Sequence, residues 1–153
     1  MPLEIIHGDI TIMKTDAIVN AANSALQMGG GVCGAIFRAA GAMELQKACD
    51  EIGRCETGQA VITKGYHLPA SYIIHTVGPI WHGGHYEEPD LLAACYQNSL
   101  QLAKEYHLKS IAFPLISSGI YGYPRERALQ VAKDSIAEFL NISDLIVYLV
   151  LFP

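Results

Sequence analysis

Short runs of Val, Ile and Leu recur along this chain, bounded by turn residues and separated by longer segments with the apolar spacing of helices. The runs predict six strands, over residues 3–7, 17–20, 60–66, 72–77, 110–115 and 145–152. The longer segments predict four helices, over residues 32–40, 42–52, 89–106 and 124–140. The last two helices begin at or near a proline, which is tolerated in a first helical turn.

Several of the predicted strands are almost continuously apolar, which is typical of strands buried on both faces of a sheet. Strands that alternate with helices of this length predict an α/β layered fold with a mostly parallel sheet. The 153 residues contain no repeat or low-complexity linker, so we expect a single domain spanning residues 1–153. The chain stops in or just after an apolar strand, which leaves open whether it was cut from a longer protein.

Composition narrows the class of protein. Half of the residues are hydrophobic (51%) and 16% are charged, as expected of a compact globular domain rather than a disordered one. The net charge of −5 offers no basic surface for a nucleic-acid backbone. The start of the chain has no basic stretch followed by an apolar run, and no segment is apolar enough to span a membrane, so we expect a cytoplasmic protein that does not bind membranes.

The four cysteines show no CxxC pairing. They are either disulfide-bonded, as in a secreted protein, or reduced thiols, and the lack of a signal sequence favours thiols. They are Cys33, Cys49, Cys55 and Cys95.

Two glycine-containing loops each follow a predicted strand and precede a predicted helix. The first glycine loop is Gly29, Gly30 and Gly31, and the second is residues 117–124, SSGIYGYP. Successive glycines let a ligand approach the backbone, and a helix that begins there presents unpaired N–H groups and the positive end of its dipole. Such a loop suits a phosphate, and two of them at the carboxyl ends of strands can hold one diphosphate.

Both loops can equally be tight turns with no ligand. Neither matches GxxxxGK[ST], so a nucleoside triphosphatase is not indicated. Loop chemistry alone therefore leaves a phosphate ligand and a plain turn both open.

Five blocks of sequence together resemble the macrodomain family, and within it the MacroD-type hydrolases. They are HGDIT (7–11), DAIVNAAN (16–23), GGGVCGAIFRAAG (29–41), YIIHTVGPIW (72–81) and PLISSGIYGYP (114–124), and their order and spacing agree over nearly the whole chain. The resemblance implies a three-layer α/β/α sandwich with a mixed central sheet and ADP-ribose bound in a cleft at the strand ends. It implies no cofactor and no metal, and we expect a monomer whose partner is ADP-ribose or an ADP-ribosylated protein.

Carried over to this sequence, the resemblance assigns the residues of the ligand site. Asp9 would accept a hydrogen bond from the adenine amino group, with Ile10 beside the ring and Phe152 as a candidate stacking ring. The residues alone also allow a turn or cap at Asp9 and a core position at Phe152. Asn23 would face the distal ribose, while Asn20 would brace the loop backbone. The two loops would hold the distal ribose and the diphosphate through Gly30, Gly31, Val32, Ser117, Gly119, Ile120, Tyr121 and Gly122.

This chain departs from the family pattern at two positions. It has Cys33 where MacroD-type enzymes usually carry aspartate, and Phe37 where they often carry histidine. Alphavirus macrodomains resemble this chain in having cysteine at that place. No histidine in the local sequence offers a base for a nucleophilic Cys33. We therefore expect Asn23 and the loops to fix the distal ribose while a phosphate of the ligand holds and partly activates the water.

Other residues attract attention outside the assigned ligand site. His82 and His85 have HxxH spacing with Glu87 and Glu88 close by, which can indicate zinc, but a solvated loop is the favoured interpretation. His75 lies within an apolar strand and is expected to be a hydrogen-bonded core residue.

Three functions remain. The first is hydrolysis of ADP-ribosyl esters, on acidic side chains of proteins or on O-acetyl-ADP-ribose. The second is binding of ADP-ribose without turnover, and the third is removal of a phosphate from ADP-ribose 1″-phosphate. Asn23 favours the first, whereas Cys33 and Phe37 favour the second.

Overall fold

A computed structural model describes residues 3–152, which form six strands and four helices. The strands are β1 (Leu3–His7), β2 (Ala17–Ala21), β3 (Ala60–Lys64), β4 (Tyr72–Thr76), β5 (Ser110–Phe113) and β6 (Ile146–Leu151). The helices are α1 (Gly31–Ala40), α2 (Ala42–Ile52), α3 (Glu88–Glu105) and α4 (Arg125–Leu140). A short 3₁₀ turn (Ile10–Ile12) follows β1.

All of the predicted strands and helices are present, and the differences are at their ends. Strand β3 ends at Lys64 instead of residue 66, because the Gly65 N–H turns back to the Ser71 carbonyl and Tyr66 has a φ of +51°. Strand β5 ends at Phe113, directly before Pro114, whose nitrogen has no hydrogen to donate to a neighbouring strand. Strand β6 is likewise shorter than predicted and excludes Leu145 and Phe152.

The sheet is mixed and mostly parallel, as predicted. Its order is β1-β6-β5-β2-β4-β3; among these six strands β3 pairs with β4 antiparallel and the other neighbours pair parallel. Parallel pairing places the carboxyl ends of β1, β6, β5 and β2 along the same edge of the sheet. Loops that follow those four strands therefore meet at that edge.

Helices cover both faces of the sheet and enclose two separate hydrophobic cores. Successive side chains of a strand point to opposite faces. In β2, Val19 accordingly packs with residues of α3 and α4, whereas Ile18 packs with residues of α1 and α2. The result is the three-layer α/β/α sandwich that the family resemblance implies. None of the helices within residues 3–152 is long and apolar enough to cross a membrane.

Candidate functional site

A cleft of about 620 Å³ opens at the edge where the carboxyl ends of the parallel strands meet. Gly8 follows β1, Ala21 ends β2, Pro114 follows β5 and Phe152 follows β6, and all four residues line the cleft. This position is the one at which open α/β sheets bind ligands.

Most of the residues predicted for the ligand site lie together in this cleft. Two do not line it, namely Asn20 and Gly122. Gly122 has a φ of +75°, and its N–H donates to the Gly119 carbonyl at 3.0 Å. This glycine therefore shapes the second loop without lining the cleft. The predicted residues that line the cleft are Asp9, Ile10, Asn23, Gly30, Gly31, Val32, Cys33, Ser117, Gly119, Ile120, Tyr121 and Phe152.

Asn20 belongs to the core, so its place in the ligand site and its expected role of bracing the loop backbone are both wrong. Its side chain is 1% exposed, and its Nδ2 donates to Nδ1 of His75 at 3.1 Å. Nε2 of His75 donates in turn to the Thr63 hydroxyl at 2.9 Å. Burial lowers the pKa of His75 to about 4, which leaves the imidazole neutral near pH 7. His75 is therefore the hydrogen-bonded core residue that the sequence predicts.

The first glycine loop brings the start of α1 to the cleft with its N–H groups open. Gly30 is the N-cap and contributes no side-chain cap, so the N–H groups of the first turn keep no partner from a capping residue. The loop can lie against the helix because residue 34 is glycine: a methyl group there would be 2.5 Å from the Gly29 carbonyl oxygen. The positive end of α1 consequently faces the cleft.

The second glycine loop is fixed from behind, which leaves its front free for a ligand. Ser117 has a φ of +68°, and its hydroxyl donates to the Pro79 carbonyl at 2.8 Å, away from a cleft ligand. The Trp81 N–H donates to the Tyr121 carbonyl at 2.8 Å. Backbone N–H groups 118–121 have no hydrogen-bond acceptor among residues 3–152. These donors face the same cleft as the first turn of α1.

The segment that supports this loop is held by Glu88, which corrects the interpretation of residues 82–88 as merely solvated. Glu88 is 1% exposed, and its carboxylate accepts from the N–H groups of His82, Gly84 and Tyr86 at 2.6–3.0 Å. Burial raises the pKa of Glu88, but these hydrogen bonds outweigh it and lower the pKa to about 2. His82 and His85 are exposed, and within residues 3–152 no group of His, Cys, Asp and Glu has the arrangement of a metal site.

The end of the cleft next to β1 carries Asp9, Ile10 and Phe152. Asp9 is exposed and caps the 3₁₀ turn: its Oδ1 accepts from the Thr11 N–H at 2.9 Å and from the Thr11 hydroxyl at 2.6 Å. The carboxylate is therefore exposed rather than buried, and its Oδ2 accepts no hydrogen bond from residues 3–152. Phe152 is 80% exposed, which excludes the core position and leaves its ring available at the cleft.

The opposite end of the cleft carries Asn23 and Cys33, joined by one backbone carbonyl. Asn23 Nδ2 donates to the Gln27 carbonyl at 2.9 Å, and the Cys33 thiol donates to the same carbonyl at 3.8 Å. A methyl group on Gly29 would lie 3.7 Å from Asn23 Nδ2 and 3.8 Å from Cys33 Sγ, so the two side chains flank this glycine. Phe37 is 1% exposed and packs in the core beneath α1, so it does not reach the cleft.

Several lining residues were not predicted from the sequence. Arg38 lies on the same face of α1 as Val32 and Ala35, and helical spacing from the glycine loop is the signal that would have found it. Arg125 was interpreted only as part of a charged first turn. Within residues 3–152, Asp9 and these two arginines are the charged side chains that line the cleft, so an anion meets a locally positive surface despite the net charge of −5.

Comparison with known proteins agrees with this architecture. The family model described as Macro domain matches residues 19–132. A macro domain-containing protein of Chlorobaculum tepidum is 59% identical over 138 residues, covering 90% of this chain and 80% of the relative. A Salmonella typhimurium protein named O-acetyl-ADP-ribose deacetylase is 53% identical over 143 residues, covering 91% and 79%.

Among solved structures, a variant of the Oceanobacillus iheyensis macrodomain with ADPR superposes with a TM-score of 0.92 at 47% identity, covering 98% of this chain and 84% of that one. A Trypanosoma brucei macrodomain in complex with ADP-ribose superposes with a TM-score of 0.90 at 40% identity, covering 98% and 63%. The fold, the cleft and these similarities agree, and the chain belongs to the macro domain family.

Proposed function

We propose that this macro domain binds ADP-ribose and hydrolyses ADP-ribosyl esters, either on aspartate and glutamate side chains of proteins or in O-acetyl-ADP-ribose. The observation that carries the proposal is the convergence of two sets of free backbone N–H groups, from the start of α1 and from residues 118–121, on one cleft. That cleft has a carboxylate with a free oxygen at one end and a fixed amide at the other.

The related proteins support both parts of the proposal. Solved macrodomains at 47% and 40% identity hold ADPR or ADP-ribose, and relatives at 53% identity are named as deacetylases of O-acetyl-ADP-ribose. Structures of the Oceanobacillus macrodomain include variants at an asparagine, a glycine and an aspartate that are spaced seven and three positions apart. Asn23, Gly30 and Cys33 have the same spacing, with cysteine in the aspartate position.

The adenine would lie at the end of the cleft next to β1. The adenine amino group is a donor, and the unused Oδ2 of Asp9 is an acceptor that distinguishes adenine from guanine at this position. Ile10 offers an apolar contact beside the ring, and the exposed ring of Phe152 offers a stacking surface.

The diphosphate would lie between the two glycine loops. Its oxygens accept from the N–H groups of Gly31 and Val32 on one side and of Gly119, Ile120 and Tyr121 on the other. The arginine at position 125, at the start of α4, adds a positive charge at the same wall. Binding therefore uses backbone donors that are already in place and need no reorganisation.

The distal ribose would lie against Asn23, whose amide is already oriented. Nδ2 uses one hydrogen and Oδ1 uses one lone pair on Gln27, so one donor and one acceptor remain for ribose hydroxyls. A water held by a phosphate oxygen of the ligand then attacks the ester at the distal ribose, releasing ADP-ribose and a carboxylic acid. Positioning and electrostatics account for the rate, and no side chain forms a covalent bond.

A test is incubation with a protein that carries ADP-ribose on aspartate or glutamate, following loss of the label with time. The proposal predicts release of free ADP-ribose and regeneration of the carboxylate, competed by excess ADP-ribose. A label that persists over many hours at stoichiometric domain concentration contradicts the hydrolase, provided that a carboxyl-ester label is confirmed by its lability to hydroxylamine.

Cys33 favours a second function, binding of ADP-ribose without turnover. Its thiol is buried and its hydrogen-bond partner within the described chain is the Gln27 carbonyl, so it supplies no acceptor comparable to a carboxylate. A pure binding module would be stabilised by ADP-ribose without releasing the label. At a ligand concentration a hundredfold above Kd, its free energy of unfolding would rise by about 2.7 kcal/mol, which a thermal shift detects.

A further inference from the structure

A glutamine outside the cleft holds the loop that carries its asparagine. Gln46 lies on α2, and its Oε1 accepts from the Met28 N–H at 2.9 Å. Its Nε2 donates to the Leu26 carbonyl at 3.0 Å and to Oδ1 of Asp50 at 2.9 Å. One side chain thus bonds the backbone on both sides of residue 27.

Gln27 holds both side chains, Asn23 and Cys33, at the end of the cleft opposite to β1. Its carbonyl accepts from both Asn23 and Cys33, and its N–H donates to Asn23 Oδ1 at 2.9 Å. Its side-chain Nε2 donates to the same Asp50 oxygen that Gln46 uses, at 3.2 Å. The Asn23 amide, the peptide of residue 27 and the α2 side chains therefore form one connected hydrogen-bond network.

We propose that Gln46 is a positioning residue for the reaction: it fixes the peptides of residues 26–28 and through them the orientation of the Asn23 amide. The proposal rests on the hydrolase function proposed above and extends it to a side chain that does not line the cleft. A loop segment without strand partners has few other restraints on its peptide planes. Gln46 supplies, from a rigid helix, the partners that a neighbouring strand would supply in a sheet.

The adenine and diphosphate ends of the cleft have their own supports. Asp9 is held by Thr11, and the second glycine loop is held by Pro79, Trp81 and the segment bound to Glu88. None of these supports includes Gln46. Loss of the Gln46 hydrogen bonds should therefore lower the reaction rate far more than the affinity for ADP-ribose. The affinity comes mainly from the adenine and diphosphate contacts.

The test compares the parent with Gln46→Ala, Gln46→Glu and a control, Lys47→Ala. Lys47 is exposed on the same helix and makes no side-chain hydrogen bond within residues 3–152, so the control removes a long side chain without touching the network. Single-turnover rates on O-acetyl-ADP-ribose, Kd for ADP-ribose and hydrogen exchange of the Met28 amide are measured well below each melting temperature.

For Gln46→Ala we expect a rate loss on the order of tenfold to a hundredfold, a Kd within about threefold of the parent, and faster exchange at Met28. Gln46→Glu keeps an acceptor for Met28 but sets a carboxylate against the Leu26 carbonyl and the Asp50 carboxylate, so its rate should also fall below that of the parent. Lys47→Ala should match the parent in all three measurements.

Two results would overturn the inference. One is a Gln46→Ala rate within twofold of the parent although Met28 exchanges faster, because the bond would then be broken without consequence. The other is an equal loss of rate and affinity, which indicates general loosening of the fold. An inactive parent instead contradicts the proposed function itself, and the inference with it.

Discussion

The side-chain amide of Asn23 bonds both backbone polar groups of Gln27, donating to its carbonyl and accepting from its N–H, each at 2.9 Å. This pair of bonds fixes which side of the amide carries the oxygen and which the nitrogen. Asn23 therefore reaches the cleft with its remaining donor and acceptor already directed, and the backbone of residue 27 determines that direction.

Replacing Asn23 and Cys33 separately by alanine should give opposite results. Asn23→Ala removes the group that orients the reacting ribose, so the rate should fall at least about tenfold while ADP-ribose affinity weakens modestly. Cys33→Ala should keep most activity, since within residues 3–152 the thiol makes one long hydrogen bond, to the Gln27 carbonyl. Single-turnover kinetics and calorimetry on both variants measure this contrast. An inactive Cys33→Ala beside an active Asn23→Ala, both folded and both binding ADP-ribose, would overturn the mechanism.

The adenine contact of Asp9 can be separated from its capping role. Asp9→Asn keeps an oxygen for the Thr11 N–H and hydroxyl but replaces the free acceptor by a donor, which repels the adenine amino group. We expect ADP-ribose binding to weaken by roughly 1–3 kcal/mol in calorimetry, with the melting temperature nearly unchanged. Asp9→Ala should weaken binding as well but also lower the melting temperature, since it removes the cap. Unchanged affinity in both variants would mean that adenine binds elsewhere.

Gly119 and Gly34 should respond differently to a side chain. A methyl group on Gly119 meets nothing within 4 Å, so Gly119→Val should fold normally yet block the approach of phosphate to the backbone, weakening ADP-ribose binding by at least about 1.4 kcal/mol. Gly34→Ala places a methyl group against the Gly29 carbonyl and should lower the melting temperature without ligand. Thermal unfolding with and without ADP-ribose distinguishes the two. Normal binding by Gly119→Val would exclude the second loop from the phosphate site.

The domain should lose stability in acid through two groups with separate pH ranges. His75 has its pKa lowered from 6.5 to about 4 by burial, so its contribution is complete above pH 6.5 and is lost as the pH falls toward 4. The integrated loss is about 3 kcal/mol. The lowered pKa of Glu88 adds a loss from 4.5 toward 2.

Denaturant unfolding at a series of pH values checks the assignment. His75→Gln, which can still accept from Asn20 and donate to Thr63, should lose less stability than the parent between pH 6.5 and 4. Glu88→Gln should keep the loss in that range. Parallel curves for the parent and His75→Gln would contradict the assignment.

Much of the fold was predictable because it follows from local patterns. Apolar runs and helical spacing located every strand and helix, and the errors are at ends where a turn intervenes, as at Gly65 and Tyr66. The glycine loops were predictable for the same reason, since strand, loop and helix are consecutive in sequence.

The finer geometry of the cleft was not predictable in this way. Asn20 and Asn23 lie three residues apart in one block, and only the pairing of β2 with β4 shows that Asn20 faces His75 in the core. Gln46 is 20 residues from the Leu26 carbonyl that it bonds, and nothing in the local sequence of α2 distinguishes it from a solvent-facing residue. Contacts between distant segments decide such roles, and they require the folded chain.

The central claim is tested most directly by a single turnover of O-acetyl-ADP-ribose with the domain in molar excess, quenched at intervals and separated by chromatography. The account predicts that the bound ester disappears exponentially while ADP-ribose and acetate form in equal amounts, and that Asn23→Ala slows this decay without preventing binding. Ester that is fully bound, displaced by ADP-ribose and yet recovered intact after many hours would contradict hydrolysis and leave the domain a binding module.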